Sequence, residues 1–302
     1  DCAAIVLFCT LKRRVTSLYL IIIGLTDNPR NEGLRFLHYL INLRIMEIGE
    51  QILIKLEEIE SKYDIRILLA VESGSRAWGF ASSDSDYDVR FIYVHKLNWY
   101  LSLQKERDVI EELDPNGVMD ISGLDLKKAL TLMGKGNCSV IEWLESPIVY
   151  CCDKTFVDKI NGIKNLYFRN ISVVNHYYHM AMNNDRRYLN KRGWELKRFM
   201  YHIRGLLAAS WAMEKGTYPP VPFCELVKEM VDDTTIQNEL RELVRLKSQS
   251  KEYDNCIVNE NLVQYARGIA QDISDGISRL QYDKPTDMNY LNNLFISEII
   301  EK

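Results

Sequence analysis

The sequence predicts an α+β protein: a small mixed-sheet domain over residues 46–150, followed by an all-helical domain over 151–302. Three observations carry this. Short apolar runs rich in β-branched residues recur between Ile65 and Ser122. From Cys151 onward the pattern turns to helical periodicity throughout. A chain of 302 residues also exceeds the usual span of one hydrophobic core.

Residues 1–45 read differently from the rest. They hold only three acidic residues, Asp1, Asp27 and Glu32, and carry Lys12-Arg13-Arg14 before an uncharged run from Val15 to Leu25. That run falls short of the roughly 20 residues a membrane-spanning helix needs, and no small-residue cleavage site follows it. Met46 opens an amphipathic segment with Ile48, Ile52, Leu53, Leu56 and Ile59 at helical spacing. The expectation is therefore a functional unit beginning at Met46, with 1–45 a loosely attached or non-native extension.

Next comes Ile65–Val71 (IRILLAV), a buried strand, broken by Glu72-Ser73-Gly74-Ser75 and a short helix or turn at Arg76–Phe80. Asp86–Val94 (DYDVRFIYV) is a second strand, Arg107–Glu112 a third and Gly117–Ser122 (GVMDIS) a fourth. Helices are expected over 124–133 and 138–144, and Pro147 closes the region near Tyr150. Beyond it, helices are expected near 155–165, 170–191, 194–215, 223–232, 235–252 and 258–281, punctuated by Pro219-Pro220-Val221-Pro222.

Composition narrows the function classes. The net charge of −4 provides no global basic field, so a polynucleotide would have to meet a local patch. Seven cysteines without a CxxC pair fit neither a disulfide framework nor a zinc ribbon; reduced thiols of a cytoplasmic protein are the better reading. His176 and His179 lie three apart on an expected helix with no acid in register, a poor zinc site.

The informative stretch is Gly74-Ser75, ten residues, then Asp86-Tyr87-Asp88. Side chains two apart on a strand share a face at roughly 6.5–7 Å, which directs Asp86 and Asp88 the same way. Asp120 lies within the later strand and joins them if the two strands are neighbours. Three clustered carboxylates repel one another, and a divalent cation of oxygen preference relieves that. Magnesium suits such a set, with a second ion about 3.5–4 Å away for in-line phosphoryl transfer. The turn at Gly74-Ser75 offers N–H groups to phosphate oxygens. A calcium loop is excluded, because the sixth and twelfth positions counted from Asp84 are Val89 and His95 instead of Gly and Glu. A plain acidic turn is the competing reading of the spacing.

Together these residues resemble the DNA polymerase β nucleotidyltransferase superfamily. Within it they are most similar to nucleotidyltransferases linked to bacterial and phage RNA repair. The resemblance rests on Glu72–Val94 (ESGSRAWGFASSDSDYDVRFIYV), Met119–Leu130 (MDISGLDLKKAL), Ile141–Tyr150 (IEWLESPIVY) and Leu196–Ala212 (LKRFMYHIRGLLAASWA). It covers most of residues 46–250, and nothing in 1–45. It implies a polymerase-β-like catalytic domain with an appended helical domain, magnesium or manganese, and a nucleoside triphosphate such as ATP. The implied reaction moves a nucleotidyl group to a hydroxyl. Asp86 and Asp88 match the ligands that bridge the metals, and Asp120 matches the third acid that helps deprotonate the acceptor. Gly74 and Ser75 match the phosphate turn.

Several residues carry two readings. Asp125 either caps the following helix or joins the acids; Asp84 is turn chemistry or a water-mediated ligand. Arg76 and Arg90 are candidates for phosphate, Arg76 the better one beside the turn. Trp78 and Phe80 pack or stack on a base. Lys197, Tyr201 and Arg204 share a helix face, opposite an apolar stripe of Phe199, Ile203, Leu206 and Leu207. That polar face lines the nucleotide cleft or is merely solvated. Arg186-Arg187 and Lys191-Arg192 touch an RNA backbone or are plain surface. For acceptors, an RNA end ranks before a protein side chain and a small molecule. The competing function is a non-catalytic nucleotide- or RNA-end-binding module, or a toxin–antitoxin partner, on the same fold.

Overall fold

A computed structural model describes residues 48–104, 106–114, 117–186, 195–249, 258–280 and 287–300. Residues 1–45, Met46 and the cluster of Arg187, Lys191 and Arg192 lie outside that set. The chain divides into two compact units after Ile54. Of the first, only the opening turns of helix α1 (Ile48–Tyr63) are among the described residues.

The second unit is built on a five-stranded mixed sheet of order β3-β4-β2-β1-β5. Its strands are β1 (Ile65–Glu72), β2 (Tyr87–His95), β3 (Val109–Leu113), β4 (Met119–Asp125) and β5 (Val149–Cys152). Only β2 and β4 pair in parallel; the other neighbours are antiparallel. β1, an inner strand with both edges paired, is buried along nearly its whole length, which explains its unbroken apolar run. In β2 the pattern alternates: Ile92 and Val94 face one core, while Val89, Phe91 and Tyr93 lie on the opposite side. Gly123 on β4 is required by that opposite side, since a Cβ there would stand 2.2 Å from the Phe91 ring.

The core under β1 and β2 is closed by α4 (Leu126–Gly134), α5 (Cys138–Leu144), α6 (Lys154–Ile163) and α12 (Asn289–Ile300). Leu126, Ala129, Met133, Phe156, Ile160 and Leu291 are fully or almost fully buried in it. Asp125 starts α4 by accepting the Lys127 N–H at 2.8 Å; Asp153 starts α6 by accepting those of Thr155 and Phe156. These are helix caps, so Asp125 takes the first of its two readings. Between α2 (Gly74–Ala77) and β2 the chain runs through an exposed turn at Ser83-Asp84, and α3 (Leu97–Tyr100) follows β2.

A second core forms among α7 (Asn170–Arg186), α8 (Leu196–Lys215), α9 (Phe223–Met230), α10 (Thr234–Gln249) and α11 (Glu260–Ile277). α7 and α8 approach closely because Gly205 faces Ala181; a Cβ at Gly205 would come within 3.0 Å of the Ala181 methyl and the Tyr177 carbonyl. Ala77, Trp78 and Phe80, which follow the Gly-Ser turn, are buried in this helical core. For Trp78 and Phe80 packing is therefore the observed role. Among the described residues no helix is long and apolar enough to cross a membrane.

Most element boundaries shift by one to three residues from the sequence-based expectation, and three differences matter for the architecture. β2 begins at Tyr87, so Asp86 belongs to the approaching turn. The sheet does not end near Pro147: β5 follows it and pairs with β1 through Leu69–Cys152, Ala70–Cys151 and Val71–Val149. Helix α12 also went unforeseen, although Leu291, Leu294 and Phe295 repeat at helical spacing. Arg66 and Lys159 both bond to its buried Glu298.

Candidate active site

The parallel pairing of β2 with β4 sets Asp88 directly beside Asp120, Arg90 beside Ser122 and Ile92 beside Leu124. Asp88, Arg90 and Ile92 alternate onto one face, so the two carboxylates stand side by side where the apolar core gives way to polar residues. Arg90 lies between them. Its Nη2 donates to Asp88 Oδ1 at 3.0 Å and to Asp120 Oδ2 at 2.7 Å, while Nη1 donates to the carbonyls of Asp120 (2.8 Å) and Val89 (3.1 Å).

Asp88 is gripped from the side of β1 as well. Its carbonyl accepts the Ser73 N–H at 2.8 Å, and its own N–H donates to Glu72 Oε1 at 2.8 Å. Gly74 turns the chain at φ +60, a conformation that favours glycine. A Cβ at that position would fall 2.1 Å from Asp88 Oδ2. Only a bare Cα lets the carboxylate approach the turn. Ser75 is buried within the following short helix, where its carbonyl accepts the Phe80 N–H.

Burial pushes the Asp88 carboxyl above the usual range; Arg90 opposes this, Asp120 and Asp86 add to it, and Lys197 opposes it further. All four groups thus act electrostatically on one carboxylate. Asp86 is exposed, and its carbonyl accepts from Arg76 Nε at 3.1 Å. Arg76 also donates to Ser85 O at 2.6 Å and stacks over the Tyr87 ring at 3.7 Å. Arg76 therefore braces the turn that presents Asp86, and its guanidinium is engaged with the chain's own carbonyls.

The helix face of Lys197, Tyr201 and Arg204 separates into three environments. Lys197 reaches the electrostatic field of Asp88. Tyr201 packs edge-on against Trp78 and Phe80. Arg204 is 1% exposed, stacks over Trp78 at 4.2 Å and donates to Glu142 Oε1 at 2.9 Å. A solvated face is thereby overturned at Arg204. The 3.6-residue period placed it correctly beside Tyr201, but Glu142 on α5 draws it inward.

Glu72, Tyr150, Ser146 and Glu142 escaped sequence reasoning. Glu72 is completely buried; Tyr150 Oη donates to its Oε2, and Ser146 Oγ donates to its carbonyl at 2.5 Å. The available signal was an acid ending a strand buried on both faces, which demands local partners. Arg90, the lesser of the two phosphate candidates, bridges the two acids here.

The residues fit a divalent cation by their chemistry. Asp88 and Asp120 are hard oxygen donors in adjacent register, and a single positive centre, Arg90 Nη2, already reaches both. As placed, no three His, Cys, Asp or Glu side chains among the described residues converge on a common point.

The sequence matches the RNA repair pathway DNA polymerase beta family over residues 48–297. It is also similar to a Bacillus subtilis (strain 168) protein carried as "Uncharacterized protein YcgL", 37% identical over 252 residues. That alignment takes in 83% of this chain and 96% of the relative. The chain belongs to the RNA repair pathway DNA polymerase beta family.

Proposed function

We propose that this family member transfers a nucleotidyl group from a nucleoside triphosphate to a hydroxyl, with an RNA end as acceptor. Magnesium or manganese would be held by Asp86, Asp88 and Asp120. The observation that carries the reading is the side-by-side placement of Asp88 and Asp120 on parallel strands, against a glycine turn shaped to one of them.

When bound, the divalent ion supplies charge neutralisation and alignment of the phosphoryl oxygens. The chain's own residues divide the remaining work. Glu72 and Ser73 fix the backbone of Asp88, so that its carboxylate is preorganised. Arg76 orders the turn bearing Asp86. Asp120, with a side chain 49% exposed against 30% for Asp88, is the more open acid and suits uptake of the acceptor proton. Lys197 adds positive charge on the helical side, where the triphosphate would need it. On this reading the sheet and the helices packed on it carry the chemistry, and the helical core of α7 to α11 supplies the wall that presents Lys197.

The test incubates the protein with each labelled nucleoside triphosphate, magnesium or manganese, and RNAs with defined ends. Incorporation should occur with the native chain. It should vanish in the Asp86→Asn, Asp88→Asn double variant while circular dichroism stays native. Undiminished turnover in that variant would reject the assignment, and labelling of protein or small-molecule acceptors in place of RNA would reassign the acceptor.

A further inference from the structure

We propose that Arg90 is an internal counter-cation that occupies the position of a divalent ion between Asp88 and Asp120 and competes with it. This rests on the reading of those aspartates as metal ligands. The charge pattern of β2 makes the role specific. Asp88 and Arg90 are two residues apart on one face, and the parallel neighbour adds Asp120 at the same level. Two half-buried carboxylates at adjacent positions repel each other, and a resting protein needs a positive group there. Arg90 provides it with one nitrogen, which is within 3.0 Å of one acid and 2.7 Å of the other.

The second nitrogen explains why the group stays in place. It is tied to two backbone carbonyls of the same strands, and the side chain is only 19% exposed. A guanidinium so held has lost its water and compensates with charge-assisted bonds. A divalent ion therefore has to displace those bonds before Asp88 and Asp120 can coordinate it. Triphosphate changes the balance, because its oxygens offer the released guanidinium a new bidentate partner. Ion and nucleotide consequently favour each other's binding, and the ion alone binds weakly.

Manganese binding read by electron paramagnetic resonance, without turnover, tests this. Arg90→Gln should bind Mn²⁺ in the absence of nucleotide at least about tenfold more tightly than the native chain, since the competing charge-assisted bonds are gone. Arg90→Lys, which keeps the charge, should stay near native affinity. ATP should tighten Mn²⁺ binding in the native chain far more than in Arg90→Gln. Equal or weaker Mn²⁺ binding by Arg90→Gln would overturn the competition while leaving the aspartates as ligands. Absence of Mn²⁺ binding in every variant, with and without ATP, would overturn the metal-site reading itself. If Arg90→Gln is poorly folded in chelator, its melting temperature under Mn²⁺ titration gives the same answer. Recovery toward the native value supports the substitution of ion for guanidinium, and an unresponsive melt rejects it.

Discussion

The buried carboxylate of Glu72 accepts the backbone N–H of Asp88 at 2.8 Å, so one acid that faces no solvent fixes the strand position of another that does. Burial raises the Glu72 pKa, and the bonds from Tyr150 and the Asp88 N–H work against that rise. Replacing it with alanine leaves the Asp88 N–H and the Tyr150 hydroxyl without their acceptor. Glu72→Ala should lose about 2–6 kcal/mol of stability in urea titration, two orphaned donors at about 1–3 kcal/mol each setting the scale. Glu72→Gln keeps an acceptor for Asp88 and should lose less than half of that. Equal losses for the two variants would show that the bond to Asp88 contributes nothing of its own.

Gly74 supplies the next expectation. Alanine there meets two obstacles, the positive φ and the Asp88 carboxylate 2.1 Å from its Cβ. Gly79, also at positive φ (+83), has open space around a built Cβ and isolates the backbone effect. Both alanine variants should lose about 1 kcal/mol from the left-handed backbone. Only Gly74→Ala should also push Asp88 aside and cut nucleotide incorporation by about tenfold or more, the sensitivity expected when a catalytic group is misplaced. Comparable incorporation by the two variants would dissociate the turn from the acid.

The contrast between these glycines shows what the sequence could and could not convey. The D-x-D pattern and the Gly-Ser turn were legible because each depends on local spacing, whereas Asp120 reaches Asp88 only through the pairing of β2 with β4. The Asp125 cap was legible from local spacing as well. The bridging position of Arg90 was not legible, because it arises only when β2 and β4 pair in parallel and in register, and no local pattern encodes that. Strand β5 has four residues, too few for alternation to declare itself. Arg204 kept helical phase with Lys197, yet period alone does not distinguish a solvated charge from one paired inside the core with Glu142.

That pair yields a stability expectation separate from the carboxylate site. Arg204 is 1% exposed, and besides Glu142 its Nη2 reaches the Val221 carbonyl at 3.3 Å. Tyr177 Oη also donates to Glu142 Oε1, at 2.9 Å. Glu142→Ala strands a buried cation and a buried hydroxyl, and should cost about 3–5 kcal/mol by urea titration. Adding Arg204→Met should return part of that loss, because the uncompensated charge is gone. A double variant less stable than Glu142→Ala alone would show that Arg204 is held chiefly by its stack on Trp78.

His95 gives the pH dependence. Its ring lies parallel to Trp99 at 4.0 Å and edge-on to Tyr93 and Tyr100, with Asp64 and Lys96 paired nearby. Burial lowers its pKa from 6.5 to about 4, and the charge of Asp64 opposes the shift. The folded ring thus stays neutral where the unfolded ring takes up a proton. The stability contributed by neutral His95 is whole above pH 6.5 and is lost as pH falls toward 4. His95→Phe retains the stack and has no proton to bind. Between pH 7 and 4.5 the native chain should lose more melting temperature than this variant, and Trp99 emission should be quenched only in the native chain, and only as the pH falls through about 4, where the folded imidazole protonates. Parallel melting curves over that range would mean that His95 titrates alike in the folded and unfolded chains.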